Sequence, residues 1–381
     1  GSNDSEKLLN AVNYVTMQDN THALTLTASR VLNITQETII DCKSKTFNVN
    51  LQICPSGGIG SALLFKNGIA MDIKVHVEGG GNDTETDAAV EICTMSHCIM
   101  HISGNNYKGT LFKVSGKDAD NTHCLGMKVT LRNYNCNQTL LHGDPIYPAS
   151  GFGYYDDVFE ETYDASKPIG SLIRGTYDVS FGHYESHFVT NENNQTDLHL
   201  SGVHSCYFGY LSLGGKCDQL LIIGADCSVS IDTLHLGSEA GTAVNGMQIA
   251  AGSQVGIRQY RPVSVGVALN YMTGATIDIN SIVPNEKISK LITRDNKDLG
   301  YALLITSFTN IIPNKILETE EYQVYKESFT NLPIVEGGTN PSGTPYPWYY
   351  QSGIIPKFST STLDNIDNDN ALSLTLDSTV A

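Results

Sequence analysis

The segment Gly182-His183-Tyr184-Glu185-Ser186-His187-Phe188 holds the densest set of groups able to move a proton or grip a hydroxyl. If it forms a strand, alternate residues share a face. His183, Glu185 and His187 then project one way, and Tyr184, Ser186 and Phe188 the other. Three polar side chains in one row suit a sugar-binding face. Hydrolysis of a glycosidic bond needs two carboxyl groups, one to protonate the leaving oxygen and one to activate water or attack the sugar. Glu185, Cys206 and Cys227 follow one another at steps of 21 residues. At that step Glu185, His204 and Asp226 fall within one or two rungs of a repeating coil. Glu185 and Asp226 are therefore the expected catalytic pair, with Asp178 as a substitute. His183, His187 and His204 bind or tune, since a neighbouring imidazole or a dry groove moves an acid's pKa. Tyr184 and Tyr207 flank these positions as substrate-binding candidates.

A second group lies in Gly153–Asp164, where Asp156, Asp157, Glu160 and Glu161 can supply an acid. Tyr154 and Tyr155 can stack on sugar rings. A third is Tyr346–Tyr350, with the single Trp, a segment whose aromatic character fits a subunit interface better than a sugar platform. An eliminase would instead need a base and a cation to neutralise a uronate. His183, Tyr184, Arg174, Lys216, Arg258 and Arg261 are the candidates. The chain's net charge of −17 disfavours a polyanionic substrate. His183-x-Glu185-x-His187 offers ligands that suit zinc or manganese, yet it is not the helical H-E-x-x-H pattern. No metal and no cofactor are expected.

These residues must be placed by strands. From Gly175 on, short apolar runs end in Gly, Asn or Asp: TDLHLSG, YLSLGG, QLLIIG, SVSIDTLHLG, GMQIAAG, GVALNY. Such alternating runs with turn residues between them are strands. The anchors Leu198–Gly202 and Leu220–Gly224 lie 22 residues apart, the period of a solenoid coil rather than of a sandwich. The expected fold is all-β, a right-handed single-stranded parallel β-helix. An amphipathic helix within residues 3–22, capped by Ser5 and buried through Leu8, Leu9, Val12 and Val15, should close its open end. The solenoid should run over 23–282, broken by a long loop at 142–170. Residues 283–381 should form a smaller β-rich region for capping or oligomerisation.

Composition narrows the class. With 381 residues, 40% of them hydrophobic, the chain can bury a large core. The negative charge argues against nucleic acid, and the absence of an apolar run of about 20 residues argues against a membrane span. The nine cysteines form no C-x-x-C pair and most sit on apolar strands, which reads as free thiols packed inside.

Asn3-Asp4-Ser5-x-x-x-Leu9-x-x with the helix, the long Gly-punctuated solenoid and the smaller C-terminal region together resemble bacteriophage tailspikes with a pectate-lyase-like β-helix. The likeness covers nearly the whole chain and is architectural. It implies a homotrimer on the virion tail that binds a bacterial capsular polysaccharide or O-antigen and depolymerises it as a glycoside hydrolase. A polysaccharide lyase of the same architecture and a non-catalytic adhesin are the alternatives. A cellular pectinase-type hydrolase ranks lower, because the closely paired N-T-D and D-D carboxylates of that group are missing.

Overall fold

The computed structural model describes residues 3–19, 24–82, 87–116, 124–143, 153–190, 195–238, 245–272, 274–284, 288, 290–294, 302–308, 355–361 and 371–377. The chain winds as a parallel β-solenoid headed by one short helix. Among the described residues, successive strands alternate between a larger sheet of 13 strands and a smaller sheet of 11. Alternation of side chains explains the winding. In Asn48–Pro55 the inward positions Val49, Leu51 and Ile53 are buried and the residues between them are not. Asp72–Glu78 repeats this with Ile73, Val75 and Val77. One apolar face per strand, laid against the equivalent face of the other sheet, builds a continuous column.

The corners are made by residues that accept a left-handed backbone. Asn67, Asn106, Asn135, Asp178, Ser205 and Asp226 all have φ between 54 and 59°, a conformation that Asn and Asp adopt more cheaply than most residues. Asn135 Nδ2 donates to Asn106 Oδ1 at 2.9 Å, so one coil's corner is tied to the next. Coil length varies, from 21 residues between Leu32 and Ile53 to 31 between Leu140 and Ser171. Leu198 pairs with Leu221, not Leu220, and the uniform 21–22-residue step does not hold.

Helix Asp4–Thr16 buries Leu8, Val12 and Val15 in the same core cluster as the first coils, closing the column's end. Its cap is Asn3, whose Oδ1 accepts from Glu6 N at 2.8 Å. Ser5 is instead buried, and its Oγ accepts from Thr35 N at 3.3 Å. Asp4 ties the helix to the chain behind it, accepting from Arg30 Nη1 at 2.9 Å and Asn33 N at 3.0 Å. Those bonds, with Arg30's the larger, lower its pKa.

The long loop expected at 142–170 is not a loop from Gly153 onward. Gly153–Ala165 is a 13-residue strand of the larger sheet, and Ile169–Arg174 follows it in the smaller one. The solenoid also passes residue 282, since Lys290–Arg294 and Ala302–Phe308 pair in parallel with the coil before them. Ile355–Ser361 and Ala371–Asp377 form an antiparallel pair. The aromatic segment 346–350 lies outside the described residues. All nine cysteines are free thiols, eight of them buried and Cys54 half-buried.

Mid-solenoid, Phe181 is sandwiched between Tyr155 and Phe208, each ring centroid 4.6 Å away and within 7° of parallel. Tyr184 meets Phe181 edge-on at 5.8 Å. Tyr155 and Tyr184 are wholly buried, so neither can touch a substrate, contrary to the sequence expectation. Replacing Phe181 by Ala should leave a cavity inside this stack and cost about 3–5 kcal/mol. A lowered urea midpoint would register the loss, and a midpoint unchanged from wild type would contradict the stacking role.

Candidate active site

Strand Val179–Thr190 spends Val179, Phe181, Tyr184, Ser186 and Phe188 on the interior. This leaves Ser180, Gly182, His183, Glu185 and His187 outside. Gly182 and His183 are consecutive and both outward, which marks a β-bulge. The bulge starts one coil earlier, where Val129 pairs with Tyr155 but Thr130 with Asp157. Later coils inherit it. Tyr155, Phe181, Phe208, Ile231 and Ile257 are in register on one side of it, and Asp157, His183, Tyr210, Thr233 and Gln259 on the other. Asp156, Gly182, Gly209, Asp232 and Arg258 are the extra residues. Tyr154 leans over this column, because a Cβ on Gly182 would sit 2.0 Å from its hydroxyl.

At the bulge the outer face gathers acids around one imidazole. His183 Nδ1 and Asp157 Oδ1 are 2.9 Å apart. His183 Nε2 lies 3.7 Å from Glu185 Oε2. Asp157 Oδ2 accepts from Arg132 Nη2, and the Arg132 guanidinium lies 5.6 Å from the Phe159 ring centroid. The His183 ring stacks on Tyr210, centroids 5.1 Å apart and 9° from parallel. Asp157 is thus held on both oxygens and 26% exposed, whereas Glu185 is 50% exposed. Glu185's column continues through Ser212 to His235 and Arg261. Burial, then Arg261, lowers the His235 pKa, and Glu185 pulls the other way. His187, two residues beyond Glu185, packs against Tyr163 at 5.4 Å.

The structure keeps Glu185, His183 and His187 on one face but does not bring Asp226 to them. Asp178 and Asp226 are left-handed corner residues at the start of the strands. Asp178 N donates to His204 O at 3.1 Å, and the His204 ring stacks on Tyr177 at 5.2 Å. Glu185 is seven residues further along its strand, on the order of 20 Å from that corner at about 3.3 Å per residue. The 21-residue arithmetic failed because Glu185 pairs with Ser212, 27 residues on. Tyr154 and Tyr207 are 37% and 38% exposed on the outer face. Tyr207 donates to Asp232 Oδ2 at 2.7 Å. Among the eliminase candidates, Arg174 belongs to the smaller sheet and Tyr184 to the interior, while Arg258 and Arg261 are outward.

Asp157, Arg132 and Tyr210 complete the cluster and were not assigned to it from sequence. The alternation of 153–165 was the available signal. It was hidden because two of its inward residues, Glu160 and Thr162, are polar, and because the bulge breaks the period at Asp156-Asp157.

Those inward polar residues form a second, interior cluster. Ser186 Oγ lies 2.6 Å from Asp197 Oδ1 and 3.3 Å from Glu160 Oε2. Thr162 Oγ1 donates to Glu160 Oε1 at 3.4 Å, and Asn133 Nδ2 at 3.5 Å. Both acids are fully buried. Burial pushes the Glu160 pKa up to about 7, against hydrogen bonds from Thr139, Ser186 and Thr162. Burial, then the charge on Glu160, raises Asp197 well above the usual carboxylate range. Tyr184, Cys136 and Cys217 face the pair, and burial holds all three in their neutral forms. No substrate reaches this cluster.

No protein-family model matches the chain, and no curated protein matches it. The class defined by fold and site is therefore the parallel β-solenoid itself, an architecture common among polysaccharide-active proteins.

A carboxyl whose pKa is raised by folding favours the folded state most when protonated. The contribution is fully present below the ordinary value near 4.5 and declines as pH rises through about 7. Thermal melts of the wild type should fall across this window, and Glu160→Gln should flatten the fall. A variant that keeps the full wild-type slope would assign it to other groups.

Proposed function

We propose that the protein binds a bacterial surface polysaccharide along the outer face of the larger sheet and cleaves it by glycosidic hydrolysis, as the tailspike likeness implies. The observation that carries this reading is the pair Asp157 and Glu185 on either side of His183. Their backbone positions are diagonal neighbours on adjacent strands, roughly 7–8 Å apart. Backbone spacing of this kind suits the ~6.5–9.5 Å of an inverting carboxyl pair better than the ~5–5.5 Å of a retaining one. Glu185, the more open group, protonates the leaving oxygen. Asp157, fixed by Arg132 and His183, takes the proton of the water that attacks from the opposite side. Tyr210 and Tyr154 offer ring faces to the sugars beside the cleavage point. The same likeness carries a homotrimer on a virion tail.

One contact favours a second reading. An Asp157–His183 hydrogen bond at Nδ1 orients Nε2 outward as a base, which is what β-elimination from a uronate requires. Its product absorbs near 235 nm or so, whereas hydrolysis yields reducing ends without absorbance.

Incubation with purified capsular polysaccharides and O-antigens should release reducing ends without that absorbance. Glu185→Gln and Asp157→Asn should each slow release by about 10²–10⁴-fold while still binding the polymer. Full activity in both variants sinks the assignment. Absorbance growth transfers the chemistry to His183, and binding without shortening makes the protein an adhesin. Sedimentation should separately find three copies of the 41.3 kDa chain; a monomer would remove the tailspike reading of its assembly.

A further inference from the structure

The outer face carries a second feature, apart from the acid pair. Strands Ser228–Gly237, Gln254–Val263 and Thr276–Ile282 enclose a shallow depression of about 230 Å³. Its polar lining is Ser230, Asp232, Arg258, Asp278 and Asn280, with Gly256 between them. Ser230, Gly256 and Asp278 are in register across the three strands. Gly256 makes the hollow, since a Cβ built there meets no atom within 4 Å. Beside Ser230 on the preceding strand stands Tyr207, its ring partly exposed and its hydroxyl on Asp232. From Glu185 the depression is three strands across and about three residues down, on the order of 15–20 Å.

We infer that this depression is a subsite for one neutral or amino pyranose of the bound polymer and that it rejects uronates. The inference rests on the polysaccharide reading above and adds which sugar the face selects. A sugar hydroxyl both donates and accepts. Asp232 and Asp278 take its protons, while Arg258 and Asn280 supply donors to its oxygens. Two carboxylates outweigh one guanidinium, so a uronate carboxylate entering here meets net repulsion, and an amino group meets attraction. Tyr207 provides an apolar ring edge next to these polar groups, the combination that pyranoses need.

The test uses the full chain and saturation-transfer NMR with methyl glucoside, glucosamine and methyl glucuronide as separate probes. Transfer to a neutral or amino probe, and none to the glucuronide, is expected. Gly256→Leu sets its Cβ in open space and its side chain into the hollow, and should abolish the transfer while far-UV circular dichroism and melting stay at wild-type values. Arg258→Ala should weaken binding by about tenfold or more. Transfer to the glucuronide equal to that of the neutral probes, no transfer to any neutral or amino probe, or transfer undiminished in Gly256→Leu overturns the subsite. The readout needs no cleavage. Binding here with an inert Glu185 fails only the hydrolase assignment, and cleavage without binding here fails only the subsite.

Discussion

A parallel strand cannot satisfy its own backbone; its N–H and C=O groups must be taken up by the coils before and after it. That constraint governs everything else in this molecule. Each coil has to lay its strand in register with the one before it, whatever happens at its corners. The spread in coil length is absorbed by the connections, while the ladder between Tyr155, Phe181 and Phe208 stays in strict alignment. Inward rings stack because the ladder sets their spacing, and outward side chains form columns for the same reason.

The two carboxyl clusters illustrate opposite outcomes of that alignment. Phe159 and Glu160 are adjacent in sequence, and their partners across the ladder are Glu185 and Ser186. Glu185 falls outside, beside His183, and keeps contact with solvent. Glu160 falls inside, where only hydroxyls and an amide receive it, and burial favours its neutral form. A one-residue change of parity separates a group available to substrate from one sealed in the core. Charges on the outer face are interleaved: Asp157 meets Arg132 beside His183, and Arg258 shares its depression with Asp232 and Asp278.

Much of this was legible in the sequence, for identifiable reasons. Runs such as LHLSG and LLIIG carry enough apolar alternation to declare strands and a solenoid. Leu8, Val12 and Val15 declare the closing helix, and His183, Glu185 and His187 were placed on one face by alternation alone. What failed depended on register, which no local pattern encodes. Asp226 was paired with Glu185 by equal spacing, but coils of unequal length carried it to a corner. Tyr155 and Tyr184 read as sugar platforms because aromatic residues look alike inside and out. Asp157 was left in a loop because Glu160 and Thr162 put polar atoms where a core strand normally shows apolar ones.

The bulge has an evolutionary meaning. Because side chains alternate, the extra residue at Gly182 acts as a frameshift: every outward residue after it would be an inward one without it. Losing a single codon there would turn Glu185 and His187 into the core and expel Tyr184 and Phe188. The neighbouring coils carry the same extra residue, so no single deletion can be matched by its neighbours. Length variation among descendants of this chain is therefore confined to the corners, and the outer face can change only by substitution.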